Sequence, residues 1–169
     1  MRQFHPKSYL VMLCLLLATT ACRPSEASST LQPGAVEVPF ETVAIEEWGS
    51  GYEGIEPQVF LLTETEDIAK VEQLVNSEHL EQLRQVDFER YAIITVFQGV
   101  QPSSNHKVVI ERIMMYDALL TVYAKFWQPS PTQGGAAQIT SPYHLVKVKK
   151  DSFATMPTEV KLVSDVVQP

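Results

Sequence analysis

Residues 87–98, Asp-Phe-Glu-Arg-Tyr-Ala-Ile-Ile-Thr-Val-Phe-Gln, decide how this chain folds. A charged turn gives way to a run apolar on both alternating registers, with Ala92, Ile94 and Val96 on one face and Tyr91, Ile93 and Phe97 on the other. Both faces need cover and both edges need neighbours, which predicts a central strand.

Working upstream, residues 58–62 form a short apolar run that reads as a strand, and Thr63-Glu64-Thr65-Glu66 matches a capping box opening a helix. Ile68, Val71, Leu74 and Val75 follow at helical spacing, and Ser77 is placed to cap a second short helix carrying Leu80 and Leu83. These helices are expected to cover one face of the central strand. Residues 46–54 form a glycine-rich loop with two aromatics, read as buried anchors beneath a turn or as a contact surface. Val36, Val38 and Phe40 alternate with polar residues, and Pro39 makes this an edge strand.

Downstream, strands are predicted over about 107–115, 118–127 and 142–150, with a further one over 160–163. The long Pro/Gly/Gln loop at 128–141 is either a functional surface or mobile. Short connections between consecutive strands favour antiparallel pairing. The predicted class is therefore α+β: a mostly antiparallel sheet, sandwich- or barrel-like, with one helical segment inserted before the central strand.

The 169 residues are 45% hydrophobic and 20% charged, which argues against both disorder and a multi-span membrane protein. Arg2 and Lys7 precede an apolar stretch over residues 10–17 and small residues up to Ala21, the pattern of an export signal too short to span a bilayer. Residues 18–22, Ala-Thr-Thr-Ala-Cys, resemble a bacterial lipobox that would make Cys22 a lipid-modified first residue. Thr19 stands where Leu, Val or Ile is usual, so cleavage after Ala21 without lipid is the alternative. The domain reading is then signal peptide 1–21, a Ser/Pro-rich tether 22–35, and one folded domain 36–169. From Cys22 onward, 11 basic against 20 acidic residues give a net charge of −9, which disfavours a nucleic-acid partner. With Cys14 removed, Cys22 is the sole cysteine and no internal disulfide can form.

No catalytic constellation stands out. His79, His106 and His144 are scattered without metal-ligand spacing and read first as hydrogen-bonded or surface histidines. There is no Gly-x-Ser-x-Gly elbow, no cysteine nucleophile in the folded part, and no phosphate-binding loop. No cofactor or metal is expected, and the chain is read as non-catalytic.

Three segments together resemble the C-terminal domain of the protease complex subunit PrcB family of exported bacterial lipoproteins: Val-Asp-Phe-Glu-Arg-Tyr at 86–91, Val-Phe-Gln-Gly-Val-Gln-Pro at 96–102, and Ser-Pro-Tyr-His-Leu-Val-Lys-Val at 141–148. Where the family commonly carries a Thr-Gly-Gly-Tyr-like turn, this chain has Ser103-Ser104-Asn105-His106, with Asn105 able to adopt a left-handed conformation. The resemblance implies a membrane-anchored, extracytoplasmic subunit that binds a secreted or surface peptidase. Trp127, Pro142, Tyr143, His144, Pro102, Asn105 and His106 are the candidate partner-binding residues, as aromatics and loop residues near a rigid sheet. The second reading is a chagasin-like protease inhibitor presenting loops 101–106 and 128–141.

Overall fold

The computed structural model describes residues 33–49, 51–130, 132 and 136–168. The expected signal peptide, Cys22 and most of the tether lie outside the described residues. The strands are β1 (Val36–Glu37), β2 (Phe40–Glu46), β3 (Gln58–Leu62), β4 (Tyr91–Phe97), β5 (Lys107–Tyr116), β6 (Leu119–Trp127), β7 (Tyr143–Lys149) and β8 (Glu159–Val167). A 3-10 helix (Thr65–Lys70) and the α-helix α1 (Ser77–Arg84) lie between β3 and β4. The strands form two four-stranded sheets, ordered β1-β5-β6-β8 and β2-β7-β4-β3, which make a sandwich and not a closed barrel. The fold is α+β, as its sequence pattern predicts.

β4 is central, pairing antiparallel with β3 on one side and β7 on the other. Its two faces serve two different cores. Ala92, Ile94 and Val96 face the second sheet and pack with Val108, Ile113, Leu120 and Val122. Ile93 and Phe97 face outward and are covered by Ile68, Val71, Val75 and Leu83 of the helical segment. An eight-residue helix has too few turns to persist alone in water, so α1 depends on this apolar contact.

Local details depart from the pattern in three places. The first helical turn is organised by Asp67, not by a Thr63–Glu66 box. Asp67 Oδ2 accepts from the Thr63 N–H at 2.6 Å and from the Thr63 hydroxyl at 3.1 Å, while Oδ1 pairs with Lys70 at 2.6 Å. Burial pushes the Asp67 carboxyl up, but Lys70 and Thr63 together hold it below its ordinary value. The cap of α1 is Asn76, whose side chain accepts the His79 N–H at 2.9 Å, one residue earlier than Ser77. Lastly, Pro39 divides the first strand in two: Val38 donates its N–H to Ile113, and the chain passes from β1 at one sheet's edge to β2 at the other's.

β8 runs parallel to β6, the exception among the described strand pairings of a mostly antiparallel fold. The connection after β7 carries the chain back to the start of β6, where Thr158 donates its N–H to Ala118. β8 therefore begins beside Leu119 and can only proceed in the direction of β6. It is nine residues long, well beyond the four predicted.

Candidate functional site

The strand registers bring three long loops to one end of the sandwich. Glu46, Phe97 and Tyr143 lie side by side, with Gln58 beside Phe97, so the end of β2, the end of β4 and the starts of β3 and β7 coincide. In the other sheet Lys107, Trp127 and Val167 are aligned. The Lys107–Glu47 ion pair, at 3.0 Å, joins the two rims. Segments 47–57, 98–106 and 128–142 thus emerge together. The helical segment crosses the outer face of the sheet and reaches the loop end at Leu74 and Asn76, where Leu74 accepts the Gly51 N–H at 3.0 Å and the Asn76 side chain donates to Glu46 at 2.7 Å, whereas the Tyr116–Asp117 turn lies at the other end.

These loops are tied to one another by backbone hydrogen bonds. Val100 donates to Gly54, Gln101 and Thr140 exchange a pair at 2.8 and 3.0 Å, and Ser104 donates to Ala136. The Thr140 hydroxyl donates to the Ser103 carbonyl at 3.0 Å. Gly99 makes this assembly possible: its φ is +90°, and a Cβ placed there would lie 2.4 Å from the Ile55 carbonyl oxygen. Asn105, at φ 69°, takes the left-handed conformation that its residue type permits.

On this framework apolar side chains face solvent. Trp48 is 56% exposed, Ile55 76%, Ile139 74% and Trp127 37%. The glycine-rich loop divides its two aromatics between the two expected roles: Tyr52 is buried against Phe97 and donates its hydroxyl to the Glu56 carbonyl at 2.7 Å, whereas Trp48 points outward. Pro102 and Asn105 are also exposed at this end.

Pro142, Tyr143, His144 and His106 are interior. Tyr143 and His144 are consecutive in a strand and so point to opposite faces. The Tyr143 ring packs edge-on to His79 at 5.7 Å and tilted against Phe97 at 5.4 Å. Its hydroxyl accepts the Asn76 N–H at 3.1 Å and lies 2.7 Å from His79 Nδ1, which locks the start of α1 to the sheet. Burial pushes this phenol up to about 12, so it stays protonated. His144 faces the other sheet. Its Nδ1 accepts the Ile110 N–H at 2.8 Å and therefore carries no proton, leaving Nε2–H to donate to Thr42 Oγ1 at 3.0 Å. Both partners sit at irregularities, between Ile110 and Arg112 in β5 and between Thr42 and Ala44 in β2. Burial, aided by the Lys107 charge, lowers His144 to about 4. His106 donates Nδ1–H to the Ser103 carbonyl at 2.9 Å and closes the turn from within.

Among the described residues no group of three or more His, Cys, Asp or Glu is placed to hold a metal, and no helix is long and apolar enough to cross a membrane. A cleft of about 760 Å³ at the end opposite the loops is lined by Glu64, Glu66, Asp87, Glu89 and Lys150 among others, with no histidine or cysteine in its lining. Ile55, which sequence reading did not single out, is a lone apolar residue between Gly54 and Glu56 with no periodicity around it.

Residues 92–149 match the family model described as PrcB C-terminal. The match runs from Ala92 in β4 to the end of β7, including His144 and the 98–106 and 128–142 loops, and leaves out the 47–57 loop, the helical segment, the 86–91 stretch and β8. No curated protein and no solved structure matches the chain.

Proposed function

From the match of residues 92–149 to the PrcB C-terminal family model, we propose that the chain is a PrcB-like, non-catalytic, protein-binding subunit of an extracytoplasmic protease complex. The observation that carries this reading is the loop end. Exposed Trp48, Ile55 and Ile139 stand on loops hydrogen-bonded to each other, and exposed Trp127 ends β6 beside them, all rooted in a two-sheet core. Large apolar and aromatic side chains held on a rigid base lose little entropy on docking and supply the desolvated anchors of a protein interface. Val36 pairs with Met115, at the end of the sandwich away from the loops. Lipidation at Cys22 would provide a membrane anchor.

The partner in this reading is a secreted or surface peptidase. A second reading, inhibition of a peptidase by the same loops, is favoured by the direct hydrogen bonding of segments 101–104 and 136–140 into one projecting unit. Co-purification of the tagged chain from its native membrane in mild detergent separates the two. Recovery of a peptidase that hydrolyses peptides while bound supports the subunit. A peptidase that is silent until separated supports the inhibitor, and recovery of no peptidase contradicts both.

A further inference from the structure

β8 is the last strand of its sheet, with β6 on one side and no strand on the other among the described residues. Its nine residues, Glu-Val-Lys-Leu-Val-Ser-Asp-Val-Val, contain neither proline nor glycine to blunt the edge. Glu159 donates its N–H to Ala118, and Val167 accepts from Gln128, so the odd-numbered residues direct their backbone groups to β6. Val160, Leu162, Ser164 and Val166 therefore direct theirs outward. Val160 and Leu162 turn their side chains to the inter-sheet core, which places Lys161, Val163 and Asp165 on the outer face of the sheet. Lys161 and Asp165 are exposed and have no ion-pair partner among the described residues.

We infer that two copies of this chain pair through β8, antiparallel about a two-fold axis at Val163. In that register Lys161 lies opposite Asp165 of the other copy, twice, and Val163 lies opposite itself. Leu162 then faces Ser164, and Val160 faces Val166, which is 58% exposed in the single copy. The backbone agrees with the charges. The residues with outward N–H and C=O groups fall in the hydrogen-bonded pairs, and Lys161/Asp165 fall in the closer non-hydrogen-bonded pairs, where opposite charges interact best.

Neighbouring registers are worse. An axis at Leu162 sets Glu159 against Asp165, and an axis at Ser164 sets Asp165 against Val163. Axes at Lys161 or Asp165 set like charges against each other. Charge therefore selects one alignment, and the product is a continuous eight-stranded sheet across two copies. The pairing leaves the loop end free and does not depend on the identity of any peptidase.

Sedimentation equilibrium of the full chain in density-matched detergent tests this. The wild type should be a dimer. Lys161→Asp and Asp165→Lys should each weaken the dimer about ten- to hundredfold, because two attractive pairs become repulsive. The combined Lys161→Asp/Asp165→Lys chain should dimerise again, which loss of folding could not mimic. In a Cys14→Ser/Cys22→Ser background, Val163→Cys should oxidise to a covalent dimer while Leu162→Cys does not. A monomer at all concentrations, a dimer indifferent to single reversals, or an edge that captures a different protein in place of a second copy would each overturn the inference.

Discussion

His144 Nδ1 accepts the backbone N–H of Ile110 at 2.8 Å, so a side chain of β7 in one sheet satisfies a backbone donor of β5 in the other. The bond requires a neutral imidazole, and burial holds His144 at about 4 against an ordinary 6.5. A depressed histidine favours the folded state fully above the unfolded value, and that stability is lost as pH falls from about 6.5 through 4. Linkage puts the loss at about 3 kcal/mol by pH 4. His144→Leu leaves the Ile110 donor unpaired and should cost about 2–3 kcal/mol at neutral pH. Denaturant titrations across this range should show the gap between wild type and variant closing on acidification, and a constant gap would contradict the assignment.

Tyr143→Phe removes the oxygen that accepts the Asn76 N–H while keeping the ring packed. We expect a loss of about 1–2 kcal/mol, concentrated in the helical layer. Hydrogen exchange should accelerate across residues 76–84 and stay slow at Ile110.

Gly99→Ala must place a Cβ at φ +90° and 2.4 Å from the Ile55 carbonyl. The cost should exceed about 1 kcal/mol. The loop carrying Ile55 should shift, which would show as chemical-shift changes confined to residues 52–57 and 98–102.

Trp48→Ala and Ile139→Ala remove exposed side chains that support no core contact. Unfolding free energy should change by less than about 0.5 kcal/mol. Affinity for the co-purifying peptidase should fall by at least about tenfold for whichever of the two anchors the interface.

The central strand was legible because both registers of residues 91–97 are apolar, a pattern that only two-sided burial explains. The same alternation located β5, β6 and β7. β8 was only partly legible, since its exposed outer half breaks the alternation and its direction depends on where the 150–158 connection ends. Tyr143 and His144 looked like contact residues because their interior partners leave no side-chain signature. The groups they satisfy are the backbone N–H of Asn76, 67 positions away, and that of Ile110, 34 positions away. Trp48 and Ile139 lie in loops recognisable from glycine and proline content, but whether each points in or out depends on hydrogen bonds that composition does not encode.

Photo-crosslinking in the native membrane tests the central claim most directly, with a photoreactive residue placed at position 48, 127 or 139 and, as a control, at position 117 in the turn at the far end. The account predicts covalent capture of one peptidase from the three loop-end positions and none from 117. Capture from 117 alone, or of no peptidase from any loop position, would contradict it.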